Sequence, residues 1–300
     1  ASQQDLEIES QAGILLSRPG LRDLSLRITA PKAGGPYPLI VWSHGMYGSE
    51  SGYGSLMDSW AKSGYVTIQP THDDSLRYAD AETRRSAMRG SLDNIGSAPQ
   101  RPKDISLVLD SLDEITKKAP TLGSKIDRTR LGMGGHSFGA WTAQMVSGMS
   151  GRVGGLTAKD DRFQAFLVIS PQGEGGSVGP SSFKTMKGPM MMISGDNDSG
   201  RGEWDPKVYR RQAFEGASPG DKWLVWIKDA YHNFGGISGR EGGIQLGGRL
   251  MGPSNPTHSR QVRTSSLAFW DATLKGRPEA KNYLKNKEIE RTGGIALSSK

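Results

Sequence analysis

The stretch that decides the fold is Arg130-Leu-Gly-Met-Gly-Gly-His-Ser-Phe-Gly-Ala-Trp-Thr-Ala143. It holds the pattern Gly-x-Ser-x-Gly around Ser137, after a short apolar run and before a segment of small residues that predicts a helix. A serine on so tight a turn has strained backbone angles, and its hydroxyl projects at the edge of the sheet. Glycine at 135 and 139 leaves room where a side chain would collide with neighbouring backbone. The stretch therefore predicts a strand, a sharp turn and a helix, with Ser137 as a nucleophile.

Two other interpretations of the glycine patterns are weaker. Gly216-Ala-Ser-Pro-Gly220 repeats the pattern, but proline follows Ser218 and the segment lies between a predicted helix and a predicted strand. We interpret it as a connecting loop. Gly132-x-Gly134 could belong to a dinucleotide-binding turn, which would need a third glycine where Ser137 stands and would open a βαβ unit. The pattern lies mid-chain instead, and we reject this interpretation.

The apolar residues predict a mostly parallel sheet. From about residue 37 onward, short and nearly continuous apolar runs alternate with segments of helical period. Such runs are typical of strands buried on both faces, and the alternation predicts right-handed crossovers with helices on both faces. Two weaker strands, 6–9 and 24–28, are expected to form an antiparallel edge. The other predicted strands are 37–42, 65–68, 131–133, 165–169, 189–193 and 223–227.

Helical periodicity predicts four helices, around residues 53–60, 102–118, 203–214 and 259–274. Two long irregular regions, 71–100 and 233–255, each follow a predicted strand. Loops at the carboxyl ends of parallel strands surround the ligand site, so we expect both regions near it. We expect residues 1–300 to form a single α/β domain, with no large cap because the link between the strands at 169 and 189 is short.

Composition excludes several classes of protein. No run approaches the roughly 18 apolar residues that a membrane helix needs, so we expect no membrane span. The 300 residues include no cysteine, which excludes disulfides, thiolate catalysis and cysteine metal sites. The net charge is +7, but the basic residues are scattered, so we expect no nucleic-acid partner. We interpret the densest basic group as a solvated surface rather than an anion-binding patch; it consists of Arg84, Arg85, Arg89, Arg101 and Lys103.

A second glycine turn follows the predicted strand 37–42, in Ser43-His-Gly-Met-Tyr-Gly48. In acyl transfer, an oxyanion hole takes one main-chain N–H from the residue after the serine and one from an earlier loop. We assign these two donors to Phe138 and Met46. An ordinary glycine turn would explain the segment by itself, but its position before Ser137 in the chain favours the oxyanion hole.

The remaining catalytic groups are expected in the order nucleophile, acid, histidine, as in the α/β-hydrolase fold. His232 follows the strand predicted at 223–227 and leads into a loop, whereas His258 lies near a helix start, where a cap or surface role fits it better. We therefore assign the base to His232. The acid follows the strand predicted at 189–193, where Asp196 and Asp198 both qualify to orient the histidine.

These motifs resemble known serine esterases over roughly residues 35 to 275. Residues 38–45, 63–70, 101–110 and 135–139 resemble dienelactone-hydrolase-like esterases and platelet-activating-factor acetylhydrolases, all of the α/β-hydrolase fold. Ser170-Pro-Gln172 and Asp196-Asn-Asp-Ser199 are more similar to bacterial cutinases and polyester hydrolases. That second resemblance implies Asp198 as the acid, whereas the acetylhydrolases place their acid near residue 170. The disulfides of some polyester hydrolases and their usual tryptophan after Ser-Pro-Gln are absent here.

The resemblance implies a two-step hydrolysis of esters that needs no metal or organic cofactor. Without a cap the site would be open, which suits bulky or polymeric esters, and Tyr47, Tyr231 and Phe234 would contact the substrate unless they belong to the core. A binding protein with a vestigial site is the alternative from another class. The first residue is alanine rather than methionine, from which we expect a mature secreted or periplasmic form. The oligomeric state does not follow from the sequence.

Overall fold

The apolar runs of the sequence form one nine-stranded sheet. The computed structural model describes residues 5–88, 98–151, 158–199, 204–239 and 251–300. The strands are β1 (Ile8–Leu16), β2 (Leu24–Pro31), β3 (Tyr37–Ser43), β4 (Val66–Thr71), β5 (Ile126–His136), β6 (Ala165–Ile169), β7 (Met190–Asn197), β8 (Lys222–Tyr231) and β9 (Ile295–Ser299).

The strand order is β1-β2-β4-β3-β5-β6-β7-β8-β9. Every pair from β4 to β8 in that order is parallel, β1 and β2 form an antiparallel edge, and β9 lies antiparallel to β8. This topology confirms the predicted α/β-hydrolase fold with a mostly parallel sheet and an antiparallel N-terminal edge. Strand β9 was not predicted, because five residues near the end of the chain carry too short an apolar pattern to be distinctive.

Helices cover both faces of the sheet, as predicted. The predicted helix 102–118 is divided at Ser111, and the described part of the predicted helix 203–214 consists of two short helices. None of the helices in the described ranges is both long enough and apolar enough to span a bilayer. The helices are α1 (Gly54–Lys62), α2 (Ala81–Met88), α3 (Gln100–Asp110), α4 (Leu112–Lys118), α5 (Pro120–Gly123), α6 (Phe138–Val146), α7 (Pro206–Tyr209), α8 (Gln212–Gly216), α9 (Pro256–Thr273) and α10 (Pro278–Lys285).

The sheet separates two apolar cores. Along β3, Leu39 and Val41 belong to the core under α3 and α6, whereas Ile40 and Trp42 belong to the core under α1 and α9. Successive residues of a strand point to opposite faces, so a strand between two cores must be apolar at every position. This is why the runs in the sequence are continuous rather than alternating.

The carboxyl ends of the parallel strands carry the predicted site residues. Ser137 directly follows β5, and Asp198 and His232 directly follow β7 and β8. The link between β6 and β7 contains only a short 3₁₀ helix, Pro180–Thr185, so it forms no large cap. The predicted loop 71–100 contains α2, while residues 89–97 and 240–250 of the two predicted loops lie outside the described residues.

Candidate active site

Ser137 occupies the strained turn that the sequence predicts. Its backbone has φ 58° and ψ −116°, a left-handed conformation that residues with a side chain rarely adopt. A Cβ on Gly135 would overlap the carbonyl of Gly139, and a Cβ on Gly139 would overlap the carbonyl of Ser43. Both glycines are therefore required by the close approach of β5, α6 and β3. The turn places the Ser137 hydroxyl at the carboxyl edge of the sheet.

The structure brings Ser137, His232 and Asp198 together in one hydrogen-bonded row. The Oγ atom of Ser137 lies 2.9 Å from Nε2 of His232, and Nδ1 of His232 lies 2.7 Å from Oδ1 of Asp198. Because a carboxylate only accepts, Nδ1 carries the hydrogen and Nε2 is left to accept from the serine. The His232 side chain is 13% exposed, so its ring remains accessible, while Asp198 is fully buried. These are the positions that a nucleophile, a base and an orienting acid require.

Asp198 sits in an environment that keeps it ionised. The hydroxyls of Ser170 and Ser194 donate to its two oxygens at 3.0 and 2.8 Å, and Nε of Arg210 lies 3.4 Å from Oδ2. Burial alone would raise the pKa of the Asp198 carboxyl. The positive charge of Arg210 and the hydrogen bond from His232 outweigh that effect, so the pKa of Asp198 lies below its ordinary value. The sequence did not indicate that Ser194 and Arg210 contact Asp198, because neither residue belongs to a recognisable motif.

Asp196, the other candidate acid, is engaged elsewhere. Its Oδ1 accepts from the indole of Trp226 at 3.0 Å, and its Oδ2 accepts the main-chain N–H of Asp229 at 2.9 Å. Of the two aspartates, Asp198 is the one that contacts His232.

The other nucleophile and base alternatives lie away from this row. Ser218 is exposed in a loop and donates to the carbonyl of Lys184 at 3.0 Å. His258 lies in the first turn of α9, where Asn255 is the N-terminal cap.

His136, the residue before Ser137, contacts two further segments of the site, and the sequence did not indicate it. Its Nε2 donates to the main-chain carbonyl of His232 at 2.7 Å. Its Nδ1 accepts from the hydroxyl of Tyr53 at 2.9 Å, and that hydroxyl accepts the main-chain N–H of Gly45 at 3.0 Å. Burial, together with the charge of His232, lowers the pKa of His136 to about 3, so the ring is neutral and can donate and accept at once.

The two predicted oxyanion donors, Met46 and Phe138, lie on neighbouring turns. We use the name His-Gly turn for residues 43–48. Within it, the N–H groups of Gly45, Tyr47 and Gly48 donate to Tyr53, Asp74 and Gly45 respectively. The N–H groups of Met46 and Phe138 have no acceptor among the residues that the structure describes. They are the groups that remain for a ligand.

The predicted substrate contacts divide into two kinds. Phe234 is fully buried and packs edge-on against His136. It is therefore a core residue, and the prediction that it contacts the substrate is wrong. Tyr47 is 9% exposed and has a left-handed backbone in the His-Gly turn. Tyr231 ends β8 and is partly exposed.

The prediction that Arg101 belongs to a solvated basic surface is wrong. Its side chain is fully buried and forms an ion pair with Asp74, at 2.8 Å between Nη2 and Oδ2. Arg84 and Arg85 are exposed on α2, and Arg89 lies outside the described residues. A charged residue in a polar helical turn looks like a surface residue in sequence, because its buried partner lies 27 positions away. The described ranges hold no group of three or more side chains suited to binding a metal ion.

Comparison with known proteins supports one of the resemblances over part of the chain. A family model of platelet-activating factor acetylhydrolase, isoform II, matches residues 24–89. That segment runs from β2 to α2 and includes the His-Gly turn, but it ends before Ser137. No curated protein matches the chain. From β2 to α2 the chain is thus similar to acetylhydrolases, which cleave ester bonds, and its sheet is that of an α/β-hydrolase.

Proposed function

We propose that this protein hydrolyses carboxylic esters by way of an acyl-enzyme on Ser137. The observation that carries the proposal is the row Ser137–His232–Asp198, with hydrogen-bond distances of 2.9 and 2.7 Å, at the carboxyl edge of the sheet. The similarity of residues 24–89 to an acetylhydrolase family gives independent support for ester chemistry. The geometry of the row is set by three different strands, which is how a catalytic site is held rigidly.

The first half of the reaction forms the acyl-enzyme. His232 takes the proton of the Ser137 hydroxyl as Oγ attacks the ester carbonyl carbon. The carbonyl oxygen becomes negatively charged and is held by the N–H groups of Met46 and Phe138. His232 then returns the proton to the departing alcohol, and the carbon–oxygen bond of the ester breaks.

The second half releases the acid. A water molecule gives a proton to His232 and attacks the acyl carbon, and the same two N–H groups hold the new oxyanion. Collapse of this intermediate returns the proton to Ser137 and frees the carboxylic acid. Asp198 stays ionised throughout, fixing the ring so that Nε2 faces the serine and stabilising the imidazolium.

The substrate class is proposed from the openness of the site. A short 3₁₀ helix, Pro180–Thr185, replaces a cap above the β6–β7 edge, which suits bulky or polymeric esters. An acid after β7, contacted at 3.0 Å by the serine at 170, is the cutinase-like placement rather than that of the acetylhydrolases, and within this proposal it favours a cutinase-like or polyester hydrolase. The binding-protein alternative would leave no reason for a strained serine aligned with an accessible histidine and a buried aspartate.

The test is hydrolysis of p-nitrophenyl esters from acetate to long acyl chains, followed by release of acid from an aliphatic polyester film. We expect Ser137→Ala to lower kcat by about 10⁶. Ser218→Ala is the matched control, because it removes the serine of the second Gly-x-Ser-x-Gly pattern, and it should retain wild-type rates. A fluorophosphonate should label wild type and Ser218→Ala but not Ser137→Ala. Equal trace activity in all three proteins, without labelling, would favour the binding protein.

A further inference from the structure

Arg101 is a fully buried arginine outside the row Ser137–His232–Asp198. It lies in the first turn of α3, directly behind the His-Gly turn. A buried guanidinium is expensive unless all its hydrogen-bond donors are satisfied and its charge is paired. The groups that bind the guanidinium therefore indicate its role.

One side of the guanidinium faces Asp74. Nε donates to Oδ1 at 3.0 Å and Nη2 donates to Oδ2 at 2.8 Å, a bidentate pair with a fixed geometry. Burial alone would raise the pKa of Asp74, but the charge of Arg101 and these hydrogen bonds outweigh it, so the pKa lies below its ordinary value. Oδ2 of Asp74 also accepts the main-chain N–H of Tyr47 at 3.2 Å. The pair therefore reaches the His-Gly turn through Asp74.

The other side of the guanidinium contacts the turn directly. Nη1 donates to the carbonyl of His44 at 2.7 Å, and Nη2 lies 3.4 Å from the carbonyl of Gly45. The Gly45 carbonyl and the Met46 N–H belong to one peptide unit, which is planar and trans, so they point in opposite directions. The Gly45 carbonyl, which is also held by Nδ1 of His44 at 2.6 Å, faces Arg101, and this aims the Met46 N–H away from Arg101. The turn lies against the nucleophile, since a Cβ on Gly45 would be 3.5 Å from the Cβ of Ser137.

Arg101 also contacts the residue that supplies the second donor. Its guanidinium carbon lies 4.3 Å from the centre of the Phe138 ring. A planar guanidinium can stack on an aromatic face while its edge continues to donate hydrogen bonds. One side chain thus touches both turns whose N–H groups are proposed to hold the oxyanion.

A second hydrogen-bonded row, formed by the buried residues Ser43, His72 and Asp104, also holds Arg101. Its Nη1 donates to the hydroxyl of Ser43 at 3.2 Å, and that hydroxyl lies 2.9 Å from Nε2 of His72. Nδ1 of His72 lies 2.8 Å from Asp104. The row repeats the Ser–His–Asp order of the proposed site, but all three residues are buried. It has no route for a substrate and acts as a support.

We propose that Arg101 is the positioning residue of the oxyanion hole, holding the Met46 and Phe138 N–H groups in the geometry that the transition state needs. This role rests on the proposed ester hydrolysis. Because Asp74 neutralises the guanidinium, orientation of the peptide units rather than a free positive charge is the larger effect. Arg101 is fully buried, so it does not contact the substrate itself.

The test compares Arg101→Met and Arg101→Lys with wild type, using p-nitrophenyl butyrate as substrate and a trifluoromethyl ketone as transition-state analogue. Loss of one oxyanion donor lowers kcat by about 10²–10³. We expect Arg101→Met to lower kcat by nearly as much and to change KM by less than about threefold. The inhibition constant of the ketone should rise in parallel with the loss of kcat. Arg101→Lys keeps the charge but lacks the planar fork, and it should lose about tenfold.

Lys275→Met is the control, because Lys275 is also a largely buried cation but pairs with Asp271 on α9, across the sheet from α3 and the His-Gly turn. It should lose stability and keep kcat within about twofold. A folded Arg101→Met with wild-type kcat, or with ketone affinity unchanged, would overturn the role of Arg101 alone. If Arg101→Met does not fold, Arg101→Lys decides by the same criteria. Absence of Ser137-dependent hydrolysis in wild type would overturn both proposals.

Discussion

His136 donates its Nε2 hydrogen to the main-chain carbonyl of His232 at 2.7 Å, so the residue before Ser137 holds the loop that begins at His232. On its other side, the ring accepts from Tyr53, whose hydroxyl accepts from Gly45 in the His-Gly turn. A single neutral imidazole therefore connects the turn at Ser137, the loop after β8 and the His-Gly turn. Relative positions within the site depend on a side chain that takes no part in the chemistry.

Replacing His136 should lower activity while the protein still folds. His136→Phe fills a similar volume but leaves the His232 carbonyl and the Tyr53 hydroxyl without this partner, which costs about 1–3 kcal/mol in the free energy of unfolding. Small displacements of a catalytic group lower rates by up to about 10², so we expect kcat to fall by at least about tenfold. Tyr53→Phe is the control, because it keeps the bond to His232 and should lose less. Wild-type kcat in a folded His136→Phe would contradict this.

The buried histidines should make the protein sensitive to acid. The pKa of His136 lies near 3 in the folded state, because of burial and the charge of His232, and near 6.5 when unfolded. The unfolded state therefore binds more protons below pH 6.5, and stability falls as pH drops from there toward 3. Between pH 7 and pH 5, His136 alone should remove about 2 kcal/mol. The pKa values of His44 and His72 are lowered in the same direction by burial.

Urea unfolding at pH 7 and pH 5 tests this expectation. His136→Gln has no group that titrates in this range, so its free energy of unfolding should change by about 2 kcal/mol less between the two pH values than that of wild type. The absolute stability of the variant at pH 7 does not enter this comparison. Equal pH dependence in the two proteins would show that His136 is not held neutral.

Local pattern was sufficient to predict most of the sheet. The apolar runs at 165–169 and 37–42 became β6 and β3 with at most one residue added, because a strand packed on both faces has no polar position. Strand β9 could not be predicted in this way, since it is a short edge strand. Its pairing with β8 joins residues about 70 positions apart, such as Trp226 and Ala296, and forms only in the folded sheet.

The site was predictable where chain order and turn chemistry determine it. Ser137 follows from its two glycines, and the structure places His232 and Asp198 beside it, although the role of each stays a prediction. Arg101 and His136 could not be assigned from sequence, because the contacts that connect them to the turn 43–48 and to residue 232 are with main-chain carbonyls. A carbonyl is present at every residue, so no sequence pattern marks it as the acceptor of a particular side chain.

The glycines around Ser137 should differ sharply from other glycines in tolerance to alanine. A Cβ on Gly139 would overlap the carbonyl of Ser43, which belongs to a central strand and cannot shift easily. We expect Gly139→Ala to lower the free energy of unfolding by about 3 kcal/mol or to prevent folding. Gly54, at the start of α1, has nothing within 4 Å of an added Cβ, so Gly54→Ala should change stability by less than about 1 kcal/mol. Thermal and urea unfolding of both variants would check the contrast.

Asp198 and Asp196 offer the sharpest test of the proposed acid, because they are two positions apart and have different partners. Asp198→Asn keeps the shape of the side chain, but its amide can donate to His232 and favour the tautomer in which Nε2 no longer accepts from Ser137, so kcat should fall by about 10⁴. Asp196→Asn disturbs the contacts with Trp226 and Asp229 and should leave kcat within a few-fold. Both are measured with p-nitrophenyl butyrate after folding is checked by circular dichroism. The opposite pattern, with Asp196→Asn inactive, would move the acid to Asp196, and loss in neither variant would mean that His232 needs no carboxylate partner.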